Sequence, residues 1–418
     1  MFIFVLMSEK VKNIIKAPTS KSILQRVLFL SLLSETKIIL QNTTWCDDTI
    51  AVKNILTDLN VLITEKNNTT TIDASNVKFN KQIFNLGESG FAARIFSIYF
   101  ALFNKRITLN GKGTLLNRNL SSIKTILKKL NVNTELNSNK LPLKIKGRIT
   151  PQNIEIDASD SSQLLSGLLM VLPKLNADIT IKVNNLKSKP YIDLTLNILT
   201  DFGVNITNIN HKEFKISNKQ KYNPPKKYNI EGDWSGAAFF CVYGAVAQEI
   251  EIDNLYKDSH QADKKILEVL KTVGAKVILR KNSIIVSPKE LNAFNFDASH
   301  SPDLFPPLVC LAVFCKGTST INGVSRLFNK ESNRAEVLQT EFKKVNINIK
   351  INNNKMFINT DNITTGEIDS NNDHRIAMAA AMISVMSNTK IKIKNKDCVN
   401  KSYPDFFNDL SKISGFDF

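Results

Sequence analysis

The feature that most restricts the fold of this chain is a pattern that recurs along its whole length. Two apolar residues three apart, then Asn or Gly, then a small or β-branched residue occur as Leu56-x-x-Leu59-Asn60-Val61, Leu127-x-x-Leu130-Asn131-Val132, Leu199-x-x-Phe202-Gly203-Val204, Leu270-x-x-Val273-Gly274-Ala275 and Phe342-x-x-Val345-Asn346-Ile347. A worn sixth copy is Leu410-x-x-Ile413-Ser414-Gly415, and successive copies begin 71, 72, 71, 72 and 68 positions apart. Asn or Gly suits the left-handed residue that closes a helix, and the alternating segment after it suits a half-buried strand. Each unit therefore ends helix, cap, strand, with room for another helix and further strands before that. Six units predict an α/β chain, most simply two domains of three, with the junction near Tyr222-Asn223-Pro224-Pro225-Lys226-Lys227 and Glu231-Gly232-Asp233.

Composition narrows the function classes less sharply. With 418 residues the chain can bury two sizeable cores, and no apolar run approaches the roughly 20 residues of a membrane helix. A net charge of +17 fits nucleic acid, an acidic membrane or small anions. The excess is Lys scattered among Asn and Ile, without the basic runs interleaved with aromatics that a single-strand binder carries. Five scattered cysteines without a CxxC pair predict reduced thiols in a cytoplasm and no structural zinc. The four histidines form no HxH or HExxH spacing, so no metal is expected. Met1 to Leu6 lack a basic leader and a cleavage site, which makes Met7 the expected natural start.

Charge concentrates in Arg326-Leu327-Phe328-Asn329-Lys330-Glu331-Ser332-Asn333-Arg334. Lys330 and Arg334 are predicted to share one face of a helix capped by Ser332 or Asn333, with Glu331 beside them; a helix start lined with cations is an anion site. Lys21, Ser22 and Arg26 at another helix start can hold a phosphate, although an ordinary capped helix reads as well. Gly87-Glu88-Ser89-Gly90 resembles a phosphate cradle only loosely. Asp160-Ser161-Ser162-Gln163 offers neutral hydrogen-bonding side chains suited to a polyhydroxylated ring or to phosphate oxygens, with capping as the plain alternative. A proline-fixed turn aims Ser188 and Tyr191 at a ligand. Asp303, between prolines, suits a general base or an N-cap, and Asp373-His374-Arg375 and Lys401 sit at two further helix starts.

Together these segments resemble 5-enolpyruvylshikimate-3-phosphate synthase, in the order of that family and across nearly the whole chain: Lys21-Ser22-x-x-x-Arg26, Ser161-Ser162-Gln163, Ser188-Lys189-Pro190-Tyr191-Ile192-Asp193, Glu231-Gly232-Asp233, Pro302-Asp303, Lys330-Glu331-Ser332-x-Arg334, Asp373-His374-Arg375 and Lys401-Ser402-Tyr403-Pro404. The resemblance implies the two-domain inverted α/β barrel-like enolpyruvyl transferase fold, six βαβαββ repeats, three per domain. On that resemblance residues 21–231 are expected to form the first lobe, on the shikimate 3-phosphate side. Residues 1–20 plus 232–418 are expected to form the second, on the phosphoenolpyruvate side, with crossovers near Ser20 and Glu231.

It further implies transfer of the enolpyruvyl group of phosphoenolpyruvate to shikimate 3-phosphate by a cytoplasmic monomer without metal, organic cofactor, nucleic acid or membrane partner. Ser22, Arg26, Ser161, Ser162, Ser188 and Lys330 are then expected on shikimate 3-phosphate, and Gly90, Arg118, Arg334, Arg375 and Lys401 on phosphoenolpyruvate. Lys21 and Gln163 would touch both. Asp303 would orient or deprotonate the attacking hydroxyl and Glu331 protonate the methylene, with Lys21 and His374 as further participants in proton transfer. Glu88, Phe91, Asn119, Arg326 and Asn333 depart from residues frequent in the family. So many cations predict mutual repulsion, with lobes that stand apart until anions draw them together. UDP-N-acetylglucosamine enolpyruvyl transferase shares the architecture, but it carries Lys-Asn where this chain has Lys21-Ser22 and a Cys in the loop matching Gly111 to Asn117. A basic nucleic-acid-binding module, with strongly salt-dependent binding, is the other alternative.

Overall fold

The computed structural model describes residues 13–360 and 362–418; Met7, the expected start, lies outside the described residues. Apolar side chains all round a helix force it into an interior, and six helices have that character: α1 (Lys21–Ser34), α3 (Gly90–Phe100), α5 (Gln163–Val171), α7 (Trp234–Val246), α9 (Phe305–Val313) and α11 (His374–Met386). The six that alternate with them bury one face only: α2 (Asp47–Asp58), α4 (Ser121–Lys129), α6 (Lys189–Asp201), α8 (Ile266–Val273), α10 (Arg334–Lys343) and α12 (Phe406–Ser414). The recurring pattern closes these outer helices. Asn60, Asn131, Gly203, Gly274 and Asn346 all have positive φ, as the left-handed cap requires. In the worn copy Gly415 takes that conformation one residue later in the pattern, at φ 69°.

Among the described residues the strands make five four-stranded sheets and a two-stranded one. Each four-stranded sheet pairs one edge strand in parallel with the strand that follows an inner helix, then adds an antiparallel pair, as in Ile83–Asn85 beside Lys105–Asn110 with Lys140–Gly147 and Asn133–Asn137 beyond. The sixth unit stops after its parallel pair, Gly366–Asp369 with Ile391–Lys394.

Two of these edge strands are exchanged between halves of the chain. Asn13–Lys16 runs parallel to Ile250–Asp253, with Ile15 opposite Ile252, while Lys227–Asn229 runs parallel to Lys37–Gln41, with Tyr228 opposite Leu40. The apolar residues accordingly fall into two cores, one from Ile23 to Ile230 and the other from Ile15 and Ala17 together with Trp234 to Ile413. The passages between them are laced to each other: the Ser20 N–H donates to the Glu231 carbonyl at 2.9 Å and the Asp233 N–H to that of Pro18 at 2.8 Å. The Pro-rich stretch Tyr222 to Lys227 still belongs to the first core, where the Tyr222 hydroxyl donates to the Met170 carbonyl. On its way from the first core to the second, the chain crosses after Ile230, at Glu231 and Gly232.

Candidate functional site

A cavity of about 200 Å³ lies between the two cores, lined from the first by Lys21, Ser22, Arg26, Gly90, Arg118, Ser161, Ser162, Gln163 and Ser188 and from the second by Asp303, Lys330 and Glu331. Helix starts converge there: α1 opens at Lys21, α3 at Gly90 and α5 at Gln163, so free backbone N–H groups as well as side chains face the space. A Cβ at Gly90 would overlap the Arg118 guanidinium, which could keep its present place only with glycine there.

On the first wall, Arg26 is buried among neutral partners. Its Nε donates to Thr195 Oγ1 at 2.9 Å, its Nη1 to the Ser22 carbonyl at 2.8 Å, and its Cζ lies 4.5 Å from the centroid of the Phe91 ring. Burial pulls this guanidinium down to about 10. Lys21 is different: Nζ pairs with Asp48 Oδ2 at 3.0 Å. Burial opposes its charge, but Asp48, with Cys46 and Glu331 behind it, prevails and holds the ammonium above its ordinary range.

The second wall is organised around Arg334, which is fully buried. Its guanidinium reaches three carboxylates: Asp373 through Nε at 2.9 Å, Glu331 through Nη2 at 2.7 Å and Asp303 through Nη1 at 3.2 Å. Asp303 also receives Lys330 at 3.1 Å and Arg375 at 3.2 Å, and Glu331 receives Arg118 from the first wall at 3.3 Å. Burial favours the neutral acids, yet Arg375, Lys330 and Arg334 hold Asp303 well below the usual carboxylate range, and Arg118 and Arg334 do the same for Glu331. His374 is buried, neither ring nitrogen has a hydrogen-bond partner among the described residues, and burial together with Lys21 keeps it neutral by depressing its pKa well below the ordinary value. Lys401 completes the set from the rear, bonded to the Asn372 carbonyl at 2.7 Å and to Glu88 of the first wall at 2.8 Å.

The local structure departs from the sequence expectation at two points. Lys330 and Glu331 precede α10 instead of lying on it: Asn333 caps the helix by accepting from the Glu336 N–H, and Arg334 is its first residue. Lys330 and Arg334 still meet, because Asp303 binds both. Lys401 closes a short helical turn, Lys396–Lys401, and does not open α12. The expected repulsion among cations is also met differently, since carboxylates are interleaved with most of them.

Asp48 and Asp263 were not legible as site residues, and Asp373 stood out only as part of Asp373-His374-Arg375, without a role of its own. Asp48 lies in the first turn of α2 and Asp373 caps α11, both ordinary places for an acid at a helix start. Asp263 accepts from Ser235 of its own core and, at 3.4 Å, from the Tyr191 hydroxyl across the cleft. Burial, with Asp303 adding to it, raises Asp263 to about 6. Gln25 and Arg94 carried a usable signal, each one helical turn beyond a candidate residue, Lys21 and Gly90.

Two α/β cores that exchange edge strands, and a cleft between them that joins hydroxyls and helix starts to an acid pair and cations, define an enzyme for small anions with several charges. The sequence matches the family described as "EPSP synthase (3-phosphoshikimate 1-carboxyvinyltransferase)" over residues 5–410. It is 34% identical over 412 residues to the 3-phosphoshikimate 1-carboxyvinyltransferase of Clostridium perfringens (strain SM101 / Type A), covering 97% of each chain. To the enzyme of that name from Buchnera aphidicola subsp. Cinara cedri it is 36% identical over 414 residues, covering 96% of this chain and 94% of the other. Among solved structures, EPSP synthase from Acinetobacter baumannii superposes with a TM-score of 0.79 at 20% identity, covering 96% of this chain and 95% of that one. The enolpyruvyl transferase NikO from Streptomyces tendae superposes with a TM-score of 0.75 at 15% identity, covering 97% and 95%. The chain belongs to the EPSP synthase family and is, with it, a transferase of the shikimate route to the aromatic amino acids.

Proposed function

We propose that the cavity between the two cores is where this chain transfers the carboxyvinyl group of phosphoenolpyruvate to the 5-hydroxyl of shikimate 3-phosphate, and that its two walls divide the work. The first lobe, residues 21–231, holds shikimate 3-phosphate through Ser22, Arg26, Ser161, Ser162, Gln163 and Ser188, with Lys330 reaching in from the other side. The second, residues 1–20 plus 232–418, supplies Arg334, Arg375 and Lys401 to phosphoenolpyruvate, which Gly90, Arg118 and Gln163 meet from the first. Lys21 faces both substrates.

The reaction is addition followed by elimination. The 5-hydroxyl oxygen of shikimate 3-phosphate bonds to C2 of phosphoenolpyruvate as its proton passes to Asp303, and C3 takes a proton from Glu331 to give a tetrahedral intermediate. The C2–O bond to phosphate then breaks while the C3 methyl returns a proton, leaving the enolpyruvyl ether and inorganic phosphate. A base near the hydroxyl, an acid near the methylene and fixed positive charge at the departing phosphate are what this chemistry needs.

The observation that carries the reading is that Asp303 and Glu331 line one cavity and share one buried guanidinium, Arg334. Held by that many cations, Asp303 is a weak base and Glu331 has no proton to give. Phosphoenolpyruvate resolves both at once, because its phosphate and carboxylate draw the arginines towards themselves and each carboxylate then regains basicity. The acid/base pair is thus armed by the substrate, with His374 and Lys21 beside Glu331 to relay its proton. The protein works as a cytoplasmic monomer, a compartment in which its five unpaired thiols stay reduced. No helix among the described residues is long and apolar enough to cross a membrane.

Phosphate release from phosphoenolpyruvate tests the reading, run once with shikimate 3-phosphate and once with UDP-N-acetylglucosamine as acceptor. Turnover with the first alone is expected; turnover with the second alone, or with neither, overturns it.

A further inference from the structure

The Lys401 ammonium is only 5% exposed as a residue, and among the described residues Glu88 is its single carboxylate partner within 4 Å. The two come from opposite cores. Glu88 is no casual neighbour: its Oε2 also accepts from the Thr114 N–H at 2.8 Å and the Thr114 hydroxyl at 2.9 Å. Burial works against that charge, but the bonds from Lys401 and Thr114 keep Glu88 ionised below its ordinary range. The loop is shaped for the carboxylate as well, since a Cβ at Gly113 would overlap it. Five residues after Gly113 the same chain delivers Arg118 to the cavity, and two residues after Glu88 comes Gly90, which lines it.

We propose that Glu88 is a built-in counter-anion for Lys401, a positioning residue that weakens the hold of this cleft on phosphoenolpyruvate and on inorganic phosphate alike. The inference rests on the reading that Lys401 faces phosphoenolpyruvate. A fixed negative charge on an ammonium lowers its attraction for any second anion, and it does so most for multiply charged ones. The arrangement trades affinity for release: the phosphate that leaves the tetrahedral intermediate departs from a cation already half satisfied. Glu88 also ties the two walls without occupying the cavity, so Lys401 stays aimed when no substrate is there. Shikimate 3-phosphate is held by hydroxyls together with Arg26, Lys21 and Lys330, none of which pairs with Glu88, and so does not feel it to the same extent.

Glu88→Gln keeps an acceptor for Lys401 and removes the charge. In steady-state kinetics the KM for phosphoenolpyruvate and the inhibition constant for inorganic phosphate are expected to fall together, by about tenfold, while the KM for shikimate 3-phosphate stays put. Glu88→Asp, which keeps the charge but withdraws it from the ammonium, lands between wild type and Gln, and it carries the test if the Gln variant does not fold. An unchanged or raised KM for phosphoenolpyruvate in an active variant overturns the proposal. Calorimetric binding of inorganic phosphate to wild type and variant separates this inference from the reading it rests on. If wild type fails to turn over the two substrates, that reading is lost, and tighter phosphate binding by Glu88→Gln still decides the role of Glu88.

Discussion

The wall of the cleft built by the first core offers hydroxyls, an arginine (Arg26) bonded to neutral groups and the ion pair of Lys21 with Asp48, with Arg118 reaching across to Glu331, whereas the wall built by the second is a lattice of charges bonded to one another. Arg26 rests on Thr195, a carbonyl and a ring; Arg334 rests on three carboxylates. The serines of the first wall face the cavity with few partners, Ser188 accepting from Arg326 at 3.1 Å and Ser161 from the Gln163 N–H at 3.2 Å, while Asp303 on the second answers Lys330, Arg334 and Arg375 at once. The difference teaches where binding and chemistry can each be placed. A wall of neutral donors binds with small, separable contributions. A wall of interlocked charges changes the proton affinity of every member when one is drawn away, which is what an acid/base pair responsive to substrate requires.

The contrast breaks first, and most visibly, at Arg334. Arg334→Met fills the same space without charge and leaves Asp373, Glu331 and Asp303 without their common partner. Stripping one partner from a buried ionic cluster costs about 3–5 kcal/mol, so urea unfolding at pH 7 is expected to show a loss of that size together with the loss of phosphate release. A loss below about 1 kcal/mol, the worth of an exposed pair, would mean that the second wall is no more interlocked than the first.

How much of this could be read from the amino-acid sequence depended on how local each cause was. Asn60, Asn131, Gly203, Gly274 and Asn346 announce the closed ends of outer helices because the left-handed conformation is a demand on a single residue. The exchanged strand Asn13–Lys16 is four residues long and takes its partner, Ile250–Asp253, from the other half of the chain; nothing local encodes that choice, and only family resemblance pointed to the crossing. The candidate residues were legible because most sit in short polar runs before apolar helices. Their partners were not: Glu88 and Lys401, or Arg118 and Glu331, meet only because the fold brings two cores face to face. Asp48 and Asp373 hid behind a role that any helix start can explain.

Acid should also separate the two walls. His374 has a folded pKa depressed well below the ordinary value of about 6.5, so the unfolded chain binds a proton there before the folded one does. Stability is then complete above about pH 6.5 and falls as pH drops towards the folded value, at about 1.4 kcal/mol per pH unit. Asp303 and Glu331, likewise depressed, add to the loss below the unfolded value of about 4. Asp263, raised to about 6, acts in the opposite sense, gaining stability as pH falls through its folded value, and partly masks the slope of wild type. His374→Gln removes one term only. The stability difference between wild type and this variant should shift with pH between 6.5 and 5 by the His374 amount, measured by urea unfolding at each pH, and a difference that stays constant over that range would show that the imidazole is not held neutral.

The smallest effect belongs to the first wall and sharpens the comparison from its other side. Ser162 is buried at the start of α5, and among the described residues its hydroxyl accepts no bond from the helix it precedes. Removing it therefore costs α5 no capping bond. Ser162→Ala is expected to leave the urea midpoint where it was and to raise the KM for shikimate 3-phosphate by about fivefold, the worth of one hydrogen bond of about 1 kcal/mol. The KM for phosphoenolpyruvate should hardly move, because Ser162 is not among the groups that meet it. A variant that loses stability instead, or that weakens both substrates equally, would show that the hydroxyl is wired into the charged network and that the two walls do not act as separate devices.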